Sequence, residues 1–155
     1  MKLFEVMFLV ESDDLFVNKV LTLPQAKLKL ESNSILLSNE KPGSARYEQL
    51  VNSRIPLLKI ADPTAYKKAL KTANGAYEYA KHTIKGRWPE GEPVIATEAI
   101  WAFYYAKETI KGRWPAGEPV ILTNATYAYT YTYEILHGRW PKAEPIILTD
   151  VECTY

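Results

Sequence analysis

The sequence predicts an α+β protein in which a small N-terminal β-containing segment caps a short C-terminal α-helical repeat array. Three observations predict it. Gly86, Gly112 and Gly138 recur at a period of 26 residues, each opening the signature G-R-W-P-x-(G/A)-E-P. The segments before these glycines carry small and aromatic residues at helical spacing. The first sixty or so residues lack the repeat, and within them Ala26-Lys27-Leu28-Lys29-Leu30-Glu31 alternates apolar and charged side chains as a half-exposed strand does.

In the array, Arg87/Arg113/Arg139, Trp88/Trp114/Trp140, Pro89/Pro115/Pro141, Glu92/Glu118/Glu144 and Pro93/Pro119/Pro145 follow the glycines in step. Upstream, Ala73, Ala76, Tyr77, Ala80 and Ile84 align with Ala99, Ala102, Phe103, Ala106 and Ile110, and then with Ala125, Ala128, Tyr129, Thr132 and Leu136. These positions form one helical stripe, in which small residues let neighbouring helices approach and a ring fills the seam. Thr97 and Thr123 are the expected N-caps, and each repeat glycine is the expected left-handed residue at the helix end. Pro89 and its equivalents suit the start of a second, shorter helix, which the second proline keeps irregular. Val94-Ile95, Val120-Ile121 and Ile146-Ile147 are its expected inward residues. The array is assigned to residues 62–155, with units 71–96, 97–122 and 123–148 and a stub at 149–155. Asp62-Pro63 starts an atypical first helix over residues 62–74.

Residues 1–61 form the expected capping segment, packed against the first repeat as a terminal cap of stacked repeats must be. Asn33-Ser34 between two apolar stretches suggests a hairpin, and residues 2–10 read as a buried strand or a helix start. Lys41-Pro42-Gly43-Ser44 is a loop, residues 45–52 are helical, and Pro56 interrupts the stretch after them.

Charge narrows the function classes. Residues 1–70 hold ten basic and eight acidic residues and residues 71–155 hold nine and ten, so neither half has the basic excess that phosphate neutralisation needs. Nucleic acid is therefore disfavoured as a partner. The apolar run at residues 3–10 is too short to span a bilayer and lacks the flanks of a signal peptide, which leads to the expectation of a cytoplasmic protein without membrane association. Cys153 is the one cysteine, and neither a disulfide nor a metal site is expected. No P-loop, G-x-G-x-x-G, G-x-S-x-G or H-E-x-x-H motif occurs, so no catalytic or cofactor-binding residue is assigned.

Recurring residues are read as builders of the stack, including the Arg/Glu ladder. Function is expected where the units differ: at Lys81/Lys107/Tyr133, Glu78/Tyr104/Thr130 and Glu90/Ala116/Lys142. Nine of the eleven tyrosines lie in residues 71–155. Amphipathic rings of this kind concentrate at protein interfaces. The candidate partner-binding residues are accordingly Tyr104, Tyr127, Tyr133, Lys81, Lys107, Glu78, Glu90 and Lys142, and the expected partner is another protein.

The run from Ala76 to Ile95, of the form A-Y-x-Y-A-x-x-x-I-K-G-R-W-P-E-x-E-P-x-I, resembles tandem repeats of largely uncharacterised proteins from tailed phages and some bacteria. The likeness covers about half the chain, and departs from the pattern at residues 133–137 and at Gly91 and Gly117, where alanine is common. The resemblance implies a phage or prophage setting. The expected function is a non-enzymatic helical-repeat protein-binding module. One alternative is a phage inhibitor of a host defence factor, which would make a host factor the partner. The other is an enzyme with a site between the N-terminal segment and the first repeat.

Overall fold

A computed structural model describes residues 21–149, and every regular element among them is helical. The expected β-containing segment is therefore corrected: the chain is all-α over the described residues, with no strand. The expectations placed on residues 2–10 and on Cys153 lie outside them. Two compact units divide between Tyr66 and Lys67.

In the first unit, α1 (Leu23–Ser38) and α2 (Ala45–Ala61) pack as a pair. The supposed strand and hairpin both lie inside α1. Ala26, Leu30, Asn33 and Leu37, spaced by four, three and four, form its inward stripe; Ala26, Asn33 and Leu37 are buried and Leu30 is half-buried. Leu28 supplied the apparent alternation, yet it is exposed. Gln25 Oε1 accepts the Thr22 backbone N–H at 2.9 Å, and Pro24 occupies the first turn, where no N–H is required.

Asn33 is no turn residue. Its Nδ2 donates to the Leu50 carbonyl at 2.9 Å and to Ser53 Oγ at 2.8 Å, while Arg54 Nη1 donates to Asn33 Oδ1 and Ser34 Oγ at 2.9 Å each. Asn33 and Arg54 are both buried, so their satisfied polar groups fix the register of α1 on α2. Beside them Leu21, Ala26 and Leu57 form a small apolar core. The loop before α2 turns through Gly43 at φ 85°, and Ser44 Oγ then accepts the Tyr47 N–H. Pro56 does not break α2, which continues to Ala61. A third helix, α3 (Pro63–Ala69), starts where Asp62 Oδ1 accepts the Ala65 N–H at 2.9 Å.

The second unit holds the array. Its long helices begin as α4 (Ala73–Glu78), α6 (Ala99–Tyr104) and α8 (Ala125–Tyr131). Each continues directly into a π-wound segment, at Tyr79–Ile84, Tyr105–Ile110 and Thr132–Leu136. Short helices α5 (Glu92–Ile95), α7 (Glu118–Ile121) and α9 (Glu144–Ile147) follow. The alanine stripe packs α4 against α6 and α6 against α8. Ala76, Ala80, Ala102, Ala106 and Ala128 are fully buried. Of the residues expected to point inward, Ile95 and Ile121 are buried while Val94, Val120, Ile146 and Ile147 are half-buried, and Trp88, Trp114 and Trp140 lie in the interior.

Three local expectations shift. The N-caps are Thr72, Glu98 and Asn124, one residue beyond the threonines expected in the second and third units. Thr97 and Thr123 instead donate their hydroxyls to the Val94 and Val120 carbonyls, closing the short helix before. The short helix begins at Glu92 rather than Pro89, and it is Pro93 that sits in its first turn.

The left-handed residue is Lys85, Lys111 or His137, at φ 66°, 57° and 50°, rather than the glycine after it. The π-winding explains this. The Ala80 carbonyl accepts the N–H of both Lys85 and Gly86, so the wider last turn closes with the lysine already reversed. Neither φ nor space explains Gly112, since a Cβ there would meet nothing within 4 Å.

Gly91 and Gly117 do have a steric reason: a Cβ on either would overlap the six-membered ring of the buried Trp88 or Trp114. A non-glycine residue in the left-handed region costs about 1–2 kcal/mol. Lys111→Gly should therefore raise the melting temperature by about 2–4 °C per kcal/mol recovered, measured by thermal unfolding, whereas Lys111→Val should lower it.

Candidate partner-binding surface

Successive array units meet at a junction that occurs twice with the same parts. The backbone N–H of Trp88 donates to the Tyr105 hydroxyl at 2.8 Å, and Trp114 donates to Tyr131 at the same distance. These amides follow the left-handed turn, where no helical carbonyl is in register to receive them. Tyr105 in turn donates to Glu92 Oε1 at 3.2 Å, and that carboxylate is gripped by Arg87 through Nε at 2.6 Å and Nη2 at 3.2 Å. The next unit repeats the grip with Arg113 and Glu118, and the third with Arg139 and Glu144.

The Arg/Glu ladder is thus made of two-pronged pairs within units, each able to orient a tyrosine from the next. Burial pushes the Tyr105 hydroxyl well above the ordinary tyrosine range, and Tyr131 moves the same way for the same reason.

Rings and charges complete the junction. Tyr77 stacks on Trp101 with centroids 5.4 Å apart, and Phe103 meets Tyr127 at 5.8 Å. Lys81 pairs with Glu108 at 2.5 Å and Lys107 with Glu134 at 2.6 Å, each lysine bridging to the following unit. The Tyr77 hydroxyl also donates to Glu108, at 2.6 Å. The Lys81 ion pair, and next the Tyr77 hydroxyl, hold the Glu108 carboxyl below its usual range; the same carboxylate holds Lys81 above its own.

The predicted residues separate on this geometry. Lys81 and Lys107 are engaged in the inter-unit ion pairs, so their difference from Tyr133 marks position in the stack. Tyr127 is half-buried against Phe103. Tyr104 is half-buried too, within 6.4 Å of both Tyr77 and Trp101. Glu78 pairs with His82 on its own exposed helix face, at 3.2 Å. Glu90 and Lys142 are exposed in the loops before the short helices.

Tyr133 stands out, 71% exposed and stacked on Tyr129 with centroids 6.4 Å apart and planes 7° apart. Tyr129 was missed. Its register with the buried Tyr77 and Phe103 marks it as core, yet it is 41% exposed, because no described helix stacks on it. Trp101 was missed as well, although the same register carries Tyr127.

Around Tyr129 and Tyr133 lies an open groove of about 640 Å³, also lined by Thr132, Glu134, His137 and Gly138. Among the described residues no three His, Cys, Asp or Glu side chains are grouped to hold a metal ion, and no helix is long and apolar enough to cross a membrane. Comparison of the chain with protein families, curated proteins and solved structures gave no match.

A carboxylate whose pKa is depressed by folding stabilises the folded state above its unfolded pKa and stops doing so as pH falls through the folded value. Array stability should therefore drop as pH is lowered below the ordinary glutamate value of 4.5. The Lys81 and Glu108 side chains are 37% and 33% exposed, so the effect is screened and modest. In thermal unfolding from about pH 5 to about pH 3, Glu108→Gln should show a shallower loss of melting temperature than the wild type. An unchanged slope would show that the pair contributes nothing.

Proposed function

We propose that the chain is a non-enzymatic helical-repeat protein-binding module and that its array carries the binding surface. The observation behind this reading is an excess of aromatic side chains over what the junctions consume. Tyr105 and Tyr131 are spent on the tryptophan amides and Tyr77 on its contacts with Trp101 and Glu108. Tyr104 stays half-exposed, while Tyr129 and Tyr133 are exposed as a stacked pair. Rings already held against one another lose little side-chain freedom on contact, which favours them as interface anchors. A partner here is a protein rather than a nucleic acid, since the signature arginines and the lysines Lys81 and Lys107 pair with carboxylates and residues 71–155 carry no basic excess. The phage or prophage setting of this reading comes from the likeness of the repeats alone, and the cytoplasm is the compartment proposed with it.

Affinity purification of the full chain from bacterial lysate tests the reading. A partner should be retained at a fixed stoichiometry and be depleted several-fold by Tyr104→Ala, by Tyr133→Ala, or by both together. Recovery of no stoichiometric partner, or retention that all these variants leave unchanged, would sink it.

A further inference from the structure

Resting on the protein-binding reading, we propose that the groove beside Tyr129 and Tyr133 docks one amphipathic α-helix of a partner protein. That helix carries an aromatic residue, a tyrosine four residues later, and an uncharged residue three further on.

The two internal junctions show what this kind of face accepts. On the face presented by α4 and the segment after it, the next unit places Trp101 on Tyr77, the Tyr105 hydroxyl on the Trp88 amide, and Glu108 on Lys81. On the face presented by α6, it places Tyr127 on Phe103, Tyr131 on the Trp114 amide, and Glu134 on Lys107. The spacing is ring, four on, tyrosine, three on, carboxylate, along one helical stripe.

The face of the third unit keeps the first two seats. Tyr129 takes the place of Tyr77 and Phe103, and is 41% exposed. No tyrosine among the described residues reaches the Trp140 amide, and Glu144 is 40% exposed where Glu92 and Glu118 are 13% and 12% exposed. The third seat changes: Tyr133 replaces the lysine and stacks flat on Tyr129. With no cation there, the occupant gains nothing from a carboxylate, and an apolar side chain covers the exposed ring better.

Sequence register separates this occupant from two others. In sequence register the chain's own next residues offer Cys153, not a ring, at the place of Trp101 and Tyr127, and their one ring, Tyr155, falls at the register of Tyr129 itself. A second copy stacking its first repeat helix on this face would bring Gly75 there, again no ring, and its Tyr79 is already buried. A separate helix bearing the missing ring fits best.

The test is fluorescence anisotropy of a labelled peptide of residues 97–111 carrying Glu108→Leu, titrated with the full chain. Saturable binding is expected, weakened about five-fold by Tyr105→Phe in the peptide. It should fall at least ten-fold with Tyr133→Asp in the protein, a substitution at a site too exposed to threaten folding. The unmodified peptide should bind no more tightly than the Glu108→Leu form. Three results would overturn the proposal. One is no saturable binding at millimolar protein, or binding indifferent to Tyr133→Asp. Another is binding that arises only when residues 150–155 are removed, which would make those residues the occupant. The third is concentration-dependent self-association abolished by Tyr133→Asp, which would make a second copy the occupant. A stoichiometric lysate partner that survives Tyr133→Asp would sink this inference and leave the protein-binding reading standing.

Discussion

The first two array units each bury a backbone amide that their own secondary structure does not satisfy. The N–H of Trp88 or Trp114 lies three residues past a left-handed lysine, on a residue whose indole is buried, and its acceptor is a tyrosine hydroxyl from the following unit. A buried amide left unpaired costs about 1–3 kcal/mol. Two such amides therefore make stacking of the next unit a condition for the stability of the one before. The arginine and glutamate of the signature then act at one remove: the arginine holds the carboxylate and the carboxylate receives the tyrosine O–H. The conspicuous motif builds the junction.

That dependence gives the array a direction. Each internal unit offers a ring, an amide and a cation to its successor, and receives a ring, a hydroxyl and a carboxylate in its place. Exposure of the signature glutamate rises from 13% and 12% at the internal junctions to 40% at the third unit. The replacement of lysine by Tyr133 falls where no described helix supplies a carboxylate. The differences between units are thus ordered by position along the described stack.

Much of the array was legible in the sequence because repetition exposes it. The alanine stripe, the buried tryptophans and the short second helix follow from residues compared 26 apart. The inter-unit ion pairs were also present, as lysine at one position and glutamate 27 later, but only stacking geometry reveals why those two meet. Tyr129 was misjudged because register predicts the environment of an internal unit and carries no information about what covers the last described one. In the first unit the error had another origin. Leu28 and Leu30 mimic a strand over six residues, whereas the helical stripe needs Ala26, Leu30, Asn33 and Leu37 read together. Asn33 defeats that reading, since a buried asparagine satisfied by another helix looks like a turn residue when its partners are unknown. The displaced left-handed residue depends on π-winding, which no residue type announces.

The tyrosine hydroxyls lock the tryptophan amides. Amide hydrogen exchange at Trp88, Trp114 and Trp140, resolved residue by residue, tests it most directly. Trp88 and Trp114 should exchange only through opening of the junction, as slowly as the buried helical amides around them, and Trp140 should exchange markedly faster. Equal exchange at all three, or Trp88 and Trp114 exchanging as fast as exposed loop amides, would contradict it.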